Sequence, residues 1–178
     1  MENEEDLPVT VTAVTTSMIV EPQAQKGAAV TQMTIKAPLP VEKRTVFGPS
    51  GKGDLGTITD EMAEKIECKA GVVRLLNGVE GRNSGYGLKH IEAKESRGKQ
   101  IAGLGYRNVF AYVSYIAGGF DAIALQDDGR LVLIKRNGPY SHQCVCQWDE
   151  DLEIWSVTTS IPMRRERDLK IVWGAEWN

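Results

Sequence analysis

The spacing of apolar and polar residues predicts helices in the middle of the chain. Apolar residues recur at i, i+3, i+4 and i+7 between about residues 107 and 117, which is the strongest helical period in the sequence (Val109, Tyr112, Val113 and Ile116). A shorter helix is expected after Thr59 or Asp60, because either side chain can cap a helix N-terminus. A further helix is predicted from Gly87 or Leu88 to about residue 97.

The pattern changes to strands after the Gly118-Gly119 pair. Short runs of β-forming residues separated by turn residues predict strands at about 120–126, 130–136, 142–148, 152–160 and 170–173. An earlier extended segment is expected at 72–76, before an Asn77-Gly78 turn. Short turns between consecutive strands require antiparallel pairing. The sequence therefore predicts an α+β domain in which N-terminal helices pack on an antiparallel β-meander.

The first 45 residues lack both periods and contain four prolines. They are predicted to form a poorly ordered acidic tail or arm, and residues 46–178 a single domain. Residues 1–60 carry five basic against eight acidic residues, whereas the remainder of the chain is neutral. Such a tail often serves as a linker or binds a protein partner. The segment FGPSGKGDLG at 47–56 is interpreted as a turn-rich approach to the domain, and it lacks the spacing of a phosphate-binding P-loop.

Composition narrows the class of protein. The chain has 178 residues, of which 42% are hydrophobic and 25% charged, as is typical of a globular domain. No run is apolar over enough residues to span a bilayer, and the acidic start is unlike a secretory signal, so no membrane association is expected. Three cysteines do not indicate a disulfide scaffold, and a reduced intracellular chain is the simplest interpretation. The sequence indicates no particular oligomeric state.

The cysteines and one of the two histidines form a pattern that could suggest a metal site. His142, Cys144 and Cys146 alternate along a predicted strand and would share one face with period two. Together with Cys68 they could supply four ligands. Structural zinc sites, however, place their cysteines in tight turns, whereas thiols inside a strand are more often small buried apolar groups. No metal and no cofactor are therefore predicted.

The other histidine, His90, lies in a basic stretch. Six basic residues stand against three acidic ones between residues 79 and 107 (Arg82, Lys89, Lys94, Arg97, Lys99 and Arg107). His90, Lys94 and Arg97 are spaced i, i+4 and i+7, which would put them on one face of the predicted helix. A positive patch of this kind can bind phosphate-bearing partners, but the same pattern is typical of a solvated surface.

The segment 73–105 resembles the phage-borne branch of the barnase/EndoU/colicin/RelE-like nuclease superfamily. Members of that branch share the run R-L-x-N-G, then G-[YF]-G-L-x-H-I, then H-G-K-x-I. This chain matches it with Arg74-Leu75, Asn77-Gly78, GYGLKHI at 85–91 and GKQI at 98–101. The resemblance extends over about residues 55–175 and includes WSVTTS at 155–160, which is similar to the family's late strand ending in hydroxyl residues. Residues 94–97 replace the second histidine that relatives often carry.

The resemblance implies a barnase/RelE-like fold and metal-independent cleavage of RNA, a toxin-like nuclease of a phage or mobile element. The ribose 2′-OH would attack the adjacent phosphate and leave a 2′,3′-cyclic phosphate and a 5′-OH. By resemblance the catalytic residues are His90, Lys89, Thr158, Thr159 and Ser160, and the substrate-binding residues are Lys94, Arg97, Lys99 and Arg82. RNA is then the expected partner, and the cytoplasm of a bacterial host, reached by phage delivery, the expected location.

A second interpretation belongs to another class. A catalytically inactive relative would keep the fold as a nucleic-acid- or protein-binding module of a phage or mobile element. The missing second histidine favours this alternative, whereas the intact GYGLKHI run favours the enzyme. Under the enzyme interpretation, Leu88 and Ile91 face the core. His90 is then expected at the mouth of a basic groove between its helix and the sheet, facing the strand at 158–160.

Overall fold

The computed structural model describes residues 38–82, 84–138, 140–164 and 169–174. Within them four α-helices follow one another along the chain: α1 Asp60–Ile66, α2 Gly87–Glu92, α3 Glu95–Gly103 and α4 Val109–Ala117. Seven strands complete the fold: β1 Asp54–Ile58, β2 Gly71–Arg74, β3 Ala122–Leu125, β4 Leu131–Asn137, β5 Tyr140–Asp149, β6 Ile154–Arg164 and β7 Lys170–Gly174. The chain is thus a mixed α+β domain. Most of the tail predicted at residues 1–45 lies outside the described residues.

The first helix begins after the capping residue that the sequence predicts, and the structure shows a cap of the same kind on the last helix. The Oγ1 atom of Thr59 accepts a hydrogen bond from the Met62 amide at 3.3 Å, and α1 starts at the next residue. The Asn108 side chain accepts one from the Ala111 amide at 2.8 Å at the start of α4. Both caps satisfy amides that lack a partner within the helix. The predictions of these two helices are confirmed.

The predicted helix from residue 87 to about 97 is wrong, because the chain forms two short helices there. Lys94 has an extended backbone, with φ −93° and ψ 90°, and separates α2 from α3. In one continuous helix, the side chains of Ile91 and Ile101 would point in directions about 80° apart around the helix axis. The break lets both isoleucines reach the core, where they are 0% and 2% exposed. His90, Lys94 and Arg97 consequently do not share one helical face.

The strands form a single sheet in the order β1-β2-β6-β5-β4-β3-β7. The predicted meander is correct for β3 to β6, where every neighbouring pair is antiparallel. It is wrong for the sheet as a whole, because β2 and β6 are parallel. Three helices separate these two strands along the chain, and such a long connection permits parallel pairing. Strand β1 lies partly inside the segment 47–56 that was interpreted as turn-rich approach.

The two faces of the sheet differ. One face forms the main core with the helices and includes Cys144 and Cys146, which are fully buried small side chains as predicted. The other face carries a smaller apolar cluster that includes Val132 and Val145. Successive residues of a strand point to opposite faces. Arg130 is two residues before Val132, and Gln147 is two residues after Val145, so both lie on the same face as the smaller cluster. Ser156 pairs with Gln147 and shares that face. At this end of the strands, the face is therefore polar.

The folded body begins before residue 46. The carbonyl of Glu42 accepts a hydrogen bond from the Gly78 amide at 2.8 Å, and that of Arg44 accepts one from the Asn77 amide at 2.9 Å. The Asn77-Gly78 turn predicted from the sequence is therefore held by the chain that enters the domain. Residues 41–45 belong to the same structural unit as the sheet.

A packing test follows from the close approach of β1 to the end of α4. A Cβ atom on Gly56 would overlap the carbonyl oxygen of Ala117 and stand 2.8 Å from its carbonyl carbon. We expect Gly56→Ala to lower the free energy of unfolding by roughly 1–3 kcal/mol, the usual cost of overpacking. Denaturant unfolding followed by circular dichroism measures this change.

The matched control is Gly98→Ala in α3, where a Cβ atom meets nothing within 4 Å. Replacing a helical glycine by alanine there should raise the free energy of unfolding by up to about 1 kcal/mol. Equal stability of Gly56→Ala and the unsubstituted protein would contradict the close packing of β1 on α4.

Candidate functional site

A cleft of about 300 Å³ opens beside the polar end of the smaller apolar cluster. We call it the sheet cleft. It is lined by residues from β5 and β6, from the loop before α2, and from two further positions on the chain (Gln147, Trp148, Asp149, Ser156 and Thr158; Ser84, Gly85 and Tyr86; Lys43 and Arg130). The sheet cleft thus brings hydroxyl, amide, aromatic and charged groups together on one side of the sheet.

The loop before α2 reaches the sheet cleft through a small hairpin. The amides and carbonyls of Val79 and Tyr86 exchange two hydrogen bonds of 3.0 Å. Gly78 has φ +67°, and a Cβ atom on it would overlap the backbone of Tyr86. Glycine is the residue that adopts this conformation without strain. The hairpin sets Gly85 and Tyr86 in the wall of the sheet cleft, and α2 begins directly after it.

His90 lies behind that wall. Its side chain is mostly buried, at 8% exposure, and a Cβ atom on Gly85 would overlap its Nδ1 atom. Burial lowers the pKa of His90 below its ordinary value, and the positive charges of Lys94 and Arg97 lower it further. A hydrogen bond with the backbone of Gly81 acts in the opposite direction. The imidazole is therefore neutral at pH 7 and can accept a proton.

Arg97 connects α3 to the hydroxyl-bearing strand. Its Nη1 atom donates to Thr159 Oγ1 at 2.6 Å, and its partial burial lowers the pKa of the guanidinium. Thr159 follows Thr158, which lines the sheet cleft and donates its hydroxyl proton to the Val145 carbonyl at 3.0 Å. Although the helix is broken, Lys94 and Arg97 remain near enough to act on His90, so the structure keeps a histidine, two cations and β6 together.

The two threonines point to opposite sides of β6. Thr158 lines the sheet cleft, whereas Thr159 is bonded to Arg97. This is the alternation expected of neighbouring residues in a strand. The pairing of β5 with β6 shifts beside them, because Val145 pairs with Thr159 and the next residue, Cys146, pairs with Val157. Such a bulge is a frequent feature beside functional sites.

Of the nine residues assigned by resemblance, Thr158 alone lines the sheet cleft. Ser160 is fully buried, where its hydroxyl donates to the Gln143 carbonyl at 3.1 Å and accepts from the Cys144 thiol at 3.3 Å. Lys99 is exposed and pairs with Glu95 at 2.7 Å, and the side chains of Lys89 and Arg82 are also exposed. Among the described residues, the structure links His90, Lys94, Arg97 and Thr159 through charge and a hydrogen bond.

Nine of the ten residues that line the sheet cleft were given no role by the sequence analysis, and three of these nine share one face of the sheet. Ser156 is 5% exposed, and its Oγ atom has no hydrogen-bond partner among the described residues. Arg130 stands beside Asp128, to which its Nε atom donates at 2.7 Å. Gln147 has an exposed side chain opposite Ser156. Their shared face follows from strand register, so correct alignment of β4, β5 and β6 was the signal that could have found them.

The second histidine, His142, is buried inside the protein. His142 is 2% exposed, and its Nδ1 atom lies 2.9 Å from the phenol oxygen of Tyr112. Burial lowers the pKa of His142. It faces the helical core with Cys144 and Cys146 rather than the sheet cleft. No group of three or more histidine, cysteine, aspartate or glutamate side chains within the described ranges is arranged to hold a metal ion.

Both histidines should make stability depend on pH. Each pKa is lower in the folded protein than the value near 6.5 expected in the unfolded chain, so the unfolded state binds more protons as the pH falls. The contribution of the two histidines to the free energy of unfolding should be complete above about pH 6.5. Below that pH it should decrease, by at most about 1.4 kcal/mol per pH unit for each histidine.

Urea unfolding at pH 7.5, 6.5 and 5.5 measures this slope. The His90→Asn variant should have a shallower slope than the unsubstituted protein, because one of the two shifted groups is gone. The carboxylates with resolved shifts, Asp121, Asp128 and Glu150, all have lowered pKa values and titrate below this window. A free energy of unfolding that stays constant between pH 7.5 and 5.5 would overturn the assignment.

Comparisons with known proteins identify no family for this chain. Protein-family models, curated protein sequences and solved structures were all searched, and no match to the chain was found. A search of the described helices for one long and apolar enough to cross a membrane found none.

Proposed function

We propose that the chain is a metal-independent endoribonuclease related to the phage-borne barnase/EndoU/colicin/RelE-like nucleases. The observation that carries this proposal is the position of His90. Its neutral ring packs against Gly85, a wall residue of the sheet cleft, in the positive field of Lys94 and Arg97. A proton acceptor beside cations and hydroxyl groups is the set that cleavage of RNA by its own 2′-OH requires.

In the proposed reaction, neutral His90 accepts the proton of the ribose 2′-OH. The freed oxygen attacks the adjacent phosphorus, the bond to the 5′-oxygen breaks, and that oxygen takes up a proton from solvent water. The products are a 2′,3′-cyclic phosphate and a 5′-OH. Arg97 and Lys94 offset the negative charge that develops on the phosphate, and the hydroxyl of Thr159, which is bonded to Arg97, is a ligand for its oxygens. DNA lacks the nucleophile and is not a substrate.

The wall residue next to the ring is a glycine for a steric reason. Gly85 has no side chain, and a Cβ atom there would overlap His90 Nδ1. Glycine therefore allows the His90 ring to pack directly against the wall of the sheet cleft. The order of helices followed by an antiparallel meander, with hydroxyl residues on β6, further supports the proposed barnase/RelE-like relationship.

A second candidate function is favoured by the position of the second histidine. His142 is buried against Tyr112, so the site offers one imidazole and not two. The leaving 5′-oxygen then has no histidine to protonate it. An inactive relative that binds RNA without cleaving it would have the same basic groups and the same cleft.

A cleavage assay distinguishes the two candidates. The purified protein should cut single-stranded RNA in excess EDTA and leave DNA of the same sequence intact. His90→Ala should reduce the cleavage rate by roughly 10²–10⁴-fold, the usual contribution of a general base. RNA that is bound with no cleavage would favour the binding module. Cleavage that is unchanged in His90→Ala would contradict the mechanism.

The field of Lys94 provides a more specific test. The Lys94 charge lowers the pKa of His90, so Lys94→Ala should raise that pKa. The rate of a reaction that needs neutral His90 falls as the pH drops through this pKa. The acid limb of the pH–rate profile should therefore move to higher pH in Lys94→Ala.

Lys65→Ala is the matched control, because it removes an exposed lysine from α1. Its acid limb should coincide with that of the unsubstituted enzyme. A shift of equal size in both variants would mean that net charge, and not the local field at His90, sets the profile.

A further inference from the structure

The hydroxyl of Ser156 is the least explained group in the sheet cleft. Ser156 is 5% exposed and lines the cleft, yet its Oγ atom has no partner within the described part of the chain. Buried hydroxyls in folded proteins nearly always have a hydrogen-bond partner, because an unpaired one costs free energy. A ligand atom in the sheet cleft would supply the missing partner.

The charges around Ser156 favour a ligand that is largely neutral. The Lys43 ammonium is 3.3 Å from an Asp149 carboxylate oxygen, and the Arg130 guanidinium pairs with Asp128. These carboxylates offset much of the positive charge at the rim. A small inorganic anion would therefore gain little binding free energy there. A ligand with one phosphate and a larger neutral part would match the charged and uncharged groups of the cleft.

The remaining lining groups suit a nucleoside. Tyr86 contributes an aromatic side chain, and Gln147 an exposed amide with both donor and acceptor atoms. The Trp148 indole is already engaged, since it packs edge-on against Trp155 and donates to Glu150 at 2.9 Å. Proteins recognise single-stranded RNA by stacking bases on aromatic rings and bonding their edges. A cleft of about 300 Å³ is at the small end of ligand sites and is suited to one nucleotide.

We propose that the sheet cleft binds a single ribonucleotide of the RNA, with the Ser156 hydroxyl bonded to it and Gln147 reading the edge of its base. This inference rests on the proposed function, because it takes the ligand to be part of an RNA substrate. Gly85 both lines the cleft and packs against His90, and we take the bound nucleotide to be the one beside the cleaved phosphate. Ser156 and Gln147 then determine base preference, a role that the sequence analysis did not assign to any residue.

Direct binding of the four ribonucleoside 3′-monophosphates tests the proposal, with inorganic phosphate as the comparison probe. Isothermal titration calorimetry should show that at least one nucleotide binds more tightly than phosphate. Ser156→Ala should weaken that binding by about fivefold to tenfold, the equivalent of one hydrogen bond. Gln147→Ala should reduce the differences among the four nucleotides.

A stability measurement separates a ligand-binding serine from a structural one. Because the Ser156 hydroxyl has no partner among the described residues to lose, Ser156→Ala should leave the free energy of unfolding unchanged or raise it. The matched control is Ser114→Ala in α4, where the hydroxyl donates to the Phe110 carbonyl at 2.7 Å. That control should lower the free energy of unfolding and leave nucleotide binding intact.

Each failure has its own signature. Equal binding of phosphate and nucleotides, or no binding of any nucleotide, would overturn the inference, and so would a Ser156→Ala variant that is destabilised as much as Ser114→Ala. The 3′-monophosphates contain no internucleotide bond, so the titrations measure binding without cleavage. Nucleotide binding without cleavage of RNA supports the inference and overturns the proposed function. The inference alone is overturned if cleavage depends on His90 but Ser156→Ala and Gln147→Ala leave nucleotide affinity and base preference unchanged.

Discussion

The packing of α4 against the centre of the sheet is the interaction on which the rest of the structure depends. Tyr112 is fully buried, its ring lies edge-on to that of Tyr106, and its phenol oxygen is 2.9 Å from Nδ1 of His142. A polar contact inside an apolar interface is costly to lose, so it favours one position of β5 beneath the helix. Once β5 is placed, a one-residue shift would exchange its two faces. Gln147 then has to lie on the face away from the helices.

Because the two faces are fixed in this way, one side of the sheet forms the core and the other side can carry a binding site. Cys144 and Cys146 fill space under α4, and burial raises the pKa of the Cys144 thiol to about 12, which makes it a poor nucleophile. The polar residues of the same strands gather on the other side. A rigid sheet is a suitable base for a binding site, since its side chains are held by register and not by mobile loops.

The sequence predicted the elements better than it predicted their arrangement. Capping residues such as Thr59 and Asn108 act within one turn of helix, so their effect is visible locally. The break at Lys94 was not visible, because it depends on two isoleucines reaching a core that other parts of the chain build. The parallel pairing of β2 with β6 joins segments that are far apart in the sequence, and no local pattern records it.

The same distinction applies to the site. His90 was found through a local run of residues, and Arg97 and Thr159 through the two segments on which the sequence analysis based its resemblance. Their hydrogen bond of 2.6 Å, however, joins elements that the sequence does not connect. Ser156 was missed because an isolated serine in a strand has no local signature. Its significance appears only when the structure shows a buried hydroxyl that has no partner among the described residues and lies beside an open cleft.

The charges near His90 finally limit which chemical role it can have. Burial and two neighbouring cations all disfavour the imidazolium form, so the ring is mostly neutral and available to receive a proton at neutral pH, although its affinity for that proton is reduced. A nuclease built on this site would therefore have an available but weakened base and no second histidine to act as the acid. Such an enzyme depends on how readily the 5′-oxygen leaves, and cations that stabilise that oxygen would compensate for the absent second histidine. Arg97 and Lys94 both disfavour the imidazolium and offer that stabilisation, so one pair of cations would serve both halves of the reaction.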